Sequence, residues 1–153
     1  MIKIVFVCTG NTCRSPMAQA LFEKIADEKG LDAECRSCGL AACSGSPASD
    51  NSAAVLKEWG IDISYFRSSS ILSLMPVLDE FDLFVPMTLN HANALLNMGI
   101  DKKKIYLFKS DVSDPFGGDI NTYRKTRDEL AEKLCDLSDF VESIGSVKNN
   151  ANS

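Results

Sequence analysis

Cys8, Thr9, Gly10, Asn11, Thr12, Cys13, Arg14 and Ser15 form one unbroken run near the start of the chain. The thiolate of Cys8 would be a strong nucleophile. The guanidinium of Arg14 is a planar fork suited to two phosphoryl oxygens. Residues 2–7, nearly all apolar, read as a buried strand, and residues 16–29 as an amphipathic helix. A turn between a strand and a helix start directs several backbone N–H groups one way, with the positive end of the helix dipole behind them. That makes an anion site. Thr9, Asn11, Thr12, Cys13 and Ser15 would shape it, and Gly10 would let the backbone approach the anion closely. The same groups would stabilise the Cys8 thiolate. The implied chemistry is attack of sulfur on a bound phosphoryl group.

Each residue also has a plainer reading. A free cysteine is commonly a small buried hydrophobe. Asn11 would serve a turn, and Ser15 would cap the helix with Pro16 in its first turn. Asp111, Asp114 and Asp119 share one loop, and spacing alone does not single one out as an acid. Cys35, Cys38 and Cys43 could hold zinc or an iron–sulfur cluster. Such sites normally use four ligands, and no fourth lies nearby. Cys35 and Cys38, three apart in strand-like sequence, would also project to opposite faces. His91, the one histidine, sits alone on a helix with no motif joining it to Cys8.

The elements that must position these groups follow from pattern. Strands are expected at residues 33–37, 81–85 and 104–108 in addition to the first, with Gly39 breaking the second and Pro86 ending the third. Helices are expected at 49–59 (Val55, Leu56 and Trp59 inward), 71–78 around Pro76, and 88–98. A long closing helix should cover 120–144, its apolar stripe interrupted by Arg127. Alternating strands and helices imply a single-domain α/β three-layer sandwich: a four-stranded parallel sheet with helices on both faces and the anion loop after the first strand. Both Cys8 and the Asp114 loop would fall at the C-terminal strand edge, where open parallel sheets bind ligands. The domain should span 1–147, with a polar, disordered tail at 148–153.

At 153 residues the chain is long enough for one proper core. Sixteen basic against 21 acidic residues leave a net charge of −5, which argues against a general nucleic-acid binder. No apolar run reaches membrane-spanning length and no signal-peptide layout precedes Ile2. A cytoplasmic protein with six reduced cysteines is expected.

Cys8-x5-Arg14-Ser15, followed by Pro16-Met17-Ala18, resembles the loop of the low-molecular-weight cysteine-dependent protein phosphatases. Asp114-Pro115-Phe116-Gly117-Gly118 matches the place of that family's general acid. The likeness extends to about Ile144. It implies Cys8 as nucleophile, Arg14 as phosphate clamp and Asp114 as acid, then base, with no metal and no cofactor. Thr9 to Cys13 and Ser15 would bind phosphate. Partners would be phosphorylated proteins or peptides, with inorganic phosphate as product. The resemblance also allows a reversible Cys8–Cys13 disulfide; spare packing is an equal reading of Cys13. The tyrosine branch has a bulky aliphatic residue where Thr12 stands and commonly two aromatics after the acid. Thr12 with Phe116 alone is similar to the protein-arginine-phosphatase branch. Arsenate reductases carry further cysteines before the third strand, and residues 71–85 have none. A thiol redox sensor and a non-catalytic phospho-binding module are the readings from other classes.

Overall fold

The computed structural model describes residues 1–151, the side chains of 147–151 excepted. Its sheet has β1 (Ile2–Cys8) in the middle, β2 (Ala33–Gly39) on one side and β3 (Leu83–Pro86) on the other, all parallel. β1 is apolar apart from Lys3 because both its faces are covered. Ile2, Ile4, Phe6 and Cys8 point into a core shared with α1 (Arg14–Lys29), α2 (Asp50–Lys57) and α4 (Ile120–Ala151). Val5 and Val7 point the other way, into a core with Leu95 of α3 (Leu89–Asn97) and with Ile71, Leu74 and Leu78 of the 3-10 segment Ile71–Glu80. The two-residue period of the strand makes this division. It also separates Cys35 from Cys38, which pack into different cores. Burial pushes both thiols up to about 12.

The fourth strand expected at 104–108 does not form, so the sheet has three strands among the described residues. Residues 102–104 make a 3-10 turn, and Ile105 forms only an isolated bridge to Phe84. Tyr106 donates its N–H to the Phe84 carbonyl at 2.9 Å. Alternate residues of a strand face the same edge, so the next donor facing that edge belongs to Pro86. Proline has no N–H, and the ladder stops after one step.

One further expectation changes. Trp59 is 38% exposed rather than inward. Its ring instead lies 4.0 Å from the Arg127 guanidinium, a cation–π contact. Arg127, the polar interruption in the α4 stripe, donates to the Val55 carbonyl at 2.9 Å and to Glu58 at 2.7 Å. It thereby closes the C-terminal end of α2, where carbonyls lack helical partners. Arg124 and Arg127 together hold the Glu58 carboxyl down to about 2.

The backbone of α4 is helical to Ala151, past Lys148 where the tail was expected to begin. The last two residues of that tail lie outside the described residues. Among the described residues, no helix is long and apolar enough to cross a membrane, and no group of three or more metal-ligating side chains gathers. All six cysteines are free.

Candidate active site

β1 delivers Cys8 to the C-terminal edge of the sheet, and the chain turns through residues 9–13 into α1. The helix starts at Arg14, with Cys13 in the cap position and no side-chain cap. Ser15 therefore does not cap it as expected. Its hydroxyl faces inward instead, 2.9 Å from Cys8 Sγ. The first-turn amides are left without a side-chain acceptor, which suits an anion at this end of the helix dipole.

Asn11 organises the loop from within. It is fully buried and sits in the left-handed region at φ 56°, which few residues other than glycine and asparagine adopt without cost. Its Oδ1 accepts from the Ser69 N–H at 2.8 Å. That orients the amide nitrogen, which donates to Ser15 Oγ at 2.8 Å and to Ser37 Oγ at 3.0 Å. Ser15 Oγ thus already accepts a bond, and its own hydrogen is free for the sulfur. The Asn11 backbone N–H also reaches Cys8 Sγ, at 3.3 Å. Sγ of Cys8, a residue only 3% exposed, thus faces two donors.

The tight glycine is Gly39, not Gly10. A Cβ at Gly10 would meet only Thr12 Oγ1, at 3.8 Å, whereas one at Gly39 would stand 2.5 Å from the Thr9 carbonyl and 3.1 Å from the Asn11 nitrogen. The end of β2 presses directly on the loop. Leu40 and Ala41 donate to the carbonyls of Cys8 and Thr9 at 2.9 and 3.0 Å, and Ser49 donates to that of Thr12 at 2.9 Å. Cys13 Sγ is 3.3 Å from the Tyr123 hydroxyl and 3.5 Å from Ser49 Oγ. Thr9 Oγ1 lies 2.9 Å from His91 Nε2.

Arg14 is nearly buried. It donates to the Val112 carbonyl at 3.2 Å, and its other terminal nitrogen is 3.6 Å from Asp114 Oδ2. The residue that would clamp phosphate also ties down the loop carrying the acid candidate. The Asp114 side chain is 56% exposed, and its Oδ1 accepts from the Phe116 N–H at 3.1 Å. Phe116 stands out at 80% exposed. Together Cys8 to Arg14, Asp114 and Phe116 line a cavity of about 240 Å³. Asp119 is turned away from this cavity and accepts from Thr122 at the start of α4. Asp111 accepts from Leu89 at the start of α3. Of the three aspartates, Asp114 is the one that lines the cavity beside Arg14.

Sequence reasoning passed over Ser37, Ser69, Gly39, Ser49, Tyr123 and His91 as supports of this loop. Of these, only Gly39, as a strand break, and His91, as a histidine without a motif, stood out in the sequence. The others come from remote segments and are joined to the loop by folding alone.

An arginine, a buried cysteine and a carboxylate around one small cavity at a helix start can bind a phosphoryl group, attack it and protonate what leaves. The family model described as low molecular weight phosphotyrosine protein phosphatase matches residues 3–150. A protein-arginine-phosphatase of Bacillus subtilis is 40% identical over 90% of this chain and 95% of its own length. The low molecular weight protein-tyrosine-phosphatase PtpB of Staphylococcus haemolyticus is 34% identical over 84% and 92%. A solved structure of the YwlE arginine phosphatase, a cysteine-to-serine mutant with a phosphorylated active-site serine, superposes with a TM-score of 0.84 at 38% identity. The match covers 92% of this chain and 96% of that one. With a family model over almost its whole length and relatives of both kinds, the chain belongs to the low molecular weight phosphotyrosine protein phosphatase family.

Proposed function

We propose that the chain hydrolyses phosphoarginine in proteins through a phosphocysteine intermediate. Cys8 attacks phosphorus in line, forming the S–P bond as the P–N bond breaks. Arg14 and the loop amides of residues 9–15 take up charge on the equatorial oxygens, where most of the stabilisation in phosphoryl transfer lies. Asp114 gives its proton to the departing guanidine nitrogen. It then accepts one from the water that cleaves the S–P bond and releases inorganic phosphate. Each step uses a residue lining the one cavity, and none needs a metal or cofactor. We assign the activity to the cytoplasm, where Cys8 would stay reduced.

The substrate rests on one observation: Thr12 is among the loop residues lining the cavity, and Phe116 is the one aromatic among the described residues that line it, followed by Gly117-Gly118. A threonine hydroxyl tolerates a polar guanidinium, whereas an aliphatic residue there would suit a phenyl ring. The protein-arginine-phosphatase relative, at 40% identity, supports this choice. Phosphotyrosine is the second reading, favoured by the aromatic wall of Phe116 and by the tyrosine-phosphatase relative.

Phosphate release from a phosphoarginine and a phosphotyrosine peptide, side by side with Cys8→Ser as blank, tests the proposal. A higher kcat/KM on phosphoarginine is expected. Thr12→Ile should move the ratio toward phosphotyrosine by roughly 10–200-fold, the range one apolar contact commands. Equal or reversed preference in the unaltered chain overturns the phosphoarginine assignment and leaves phosphotyrosine. Turnover of neither overturns the phosphatase mechanism.

A further inference from the structure

His91 has no part in the steps above, yet its side chain joins α3 to the cysteine loop through a hydrogen bond. It lies in the first turn of α3, its backbone N–H held by the Thr88 cap. The residue is 6% exposed, with Nε2 2.9 Å from Thr9 Oγ1 and with Nδ1 buried and without a hydrogen-bond partner among the described residues. A neutral imidazole carries one proton. On Nδ1 that proton would make a buried N–H with no acceptor, the rarer and costlier defect. On Nε2 it makes a bond to Thr9. A second proton would add charge as well as the orphaned donor. Burial and the neighbouring Arg14 oppose it, against the weaker pull of Asp111 and Asp114 from the acid loop.

We infer that His91 is a positioning residue: its Nε2–H donates to Thr9 Oγ1 and so leaves the Thr9 hydroxyl hydrogen free as a donor in the phosphate cavity. Thr9 lines that cavity, and its carbonyl is already fixed by the Ala41 N–H. With Oγ1 accepting from the ring, the hydroxyl hydrogen is free to be donated to a phosphoryl oxygen. The bound group would then receive a side-chain donor besides Arg14 and the backbone amides. The same turn of α3 also donates to Asp111 through the Leu89 N–H at 2.9 Å, so α3 braces both loops. This inference rests on the reading of the loop as a phosphoryl site.

The test is a double-mutant cycle with two readouts. Thr9→Val removes the hydroxyl and Thr9→Ser keeps it. His91→Phe removes the ring N–H, and His91→Gln offers an amide donor on a side chain of similar reach. Thr9→Val and His91→Phe should each lower kcat/KM roughly tenfold and weaken inhibition by inorganic phosphate by the same factor, as loss of one charge-assisted hydrogen bond does. The double variant should be no worse than either single one, and Thr9→Ser and His91→Gln should stay within about threefold of the parent. Losses that multiply in the double variant, or a His91→Phe protein with a lower melting temperature but undiminished phosphate affinity, overturn the inference. If His91→Phe does not fold, the cycle runs with His91→Ala. The second readout needs no turnover. With one histidine in the chain, its 15N imidazole signals need no assignment. They should report a protonated Nε2 and a bare Nδ1 at neutral pH, with Nε2 shifting in Thr9→Val. An Nδ1–H tautomer overturns the inference even if the loop proves to bind no phosphate, a result that would separately remove the proposed function.

Discussion

The two loops that meet at the cavity are held in opposite ways. Residues 8–15 are fastened by partners far away in sequence: Ser37 and Ser69 on Asn11, Leu40 and Ala41 on two carbonyls, Ser49 on a third, and His91 on Thr9. Residues 111 and 112 are tied to remote segments, Asp111 to Leu89 and Val112 to Met87 and Arg14. Beyond them, residues 113–118 are held by local bonds, Asp114 to Phe116 and Gly118 to Pro115, and by the 3.6 Å ion pair of Asp114 with Arg14. The difference is chemical. Stabilising an oxyanion requires donors fixed before the reaction, because reorganising them would consume the gain. A general acid must follow a leaving group that moves and must let product out, so looser anchoring through Arg14 suits it.

This contrast can be broken or sharpened by substitution. Cys8→Ser should abolish turnover, by on the order of 10⁴-fold or more given how nucleophile deletions behave. It should still bind inorganic phosphate, because the donors of the loop remain. Stopped-flow phosphate release and calorimetric phosphate titration check the two halves, and normal turnover would falsify the mechanism. Asp114→Asn should lower kcat by about 10²–10⁴-fold. The effect should shrink on an aryl phosphate whose leaving group needs no proton, and the melting temperature should not move, since the side chain is mostly exposed. Asn11→Ala should do the reverse in kind. It strands the Ser69 N–H and loosens both serines, at a cost of about 1–3 kcal/mol in stability, with a loss of activity on every substrate alike. Denaturant melts of the two variants compare the loops directly. Equal destabilisation by Asp114→Asn and Asn11→Ala would end the contrast.

The smallest effects are in the pH dependence of stability. Burial, with Arg14, holds the His91 imidazole below its usual range. Between about pH 6.5, the value in an unfolded chain, and the lower folded value, the unfolded state binds the proton that the folded state refuses. Stability therefore falls as pH drops through that window. Glu58, held down to about 2 against an ordinary 4.5, stabilises the fold above 4.5 and loses that contribution between 4.5 and 2. Its partial exposure keeps the effect modest. Melting temperatures across pH should show two declines, the upper absent in His91→Gln and the lower reduced in Glu58→Gln, since Asp62 and Asp119 are also held below their ordinary values by hydrogen bonds from Ser64 and Thr122.

Much of this architecture is local and was legible in residue types. An apolar run, a cysteine, a six-residue step to arginine and a helix pattern specify a strand, an anion turn and a nucleophile, because each depends on near neighbours in the chain. Pro86 was equally legible as a residue that cannot donate, although its consequence, the missing fourth strand, needed the register that sets its edge against Tyr106. Three things were settled only by tertiary structure. Gly39, read as a strand breaker, proves to be the residue that lets β2 touch the loop. Among three aspartates, only Asp114 comes to Arg14. And the histidine without a motif is delivered to Thr9 across 82 positions of sequence. In each case the deciding quantity is a distance between segments that folding brings together. Local propensity and spacing carry no information about it.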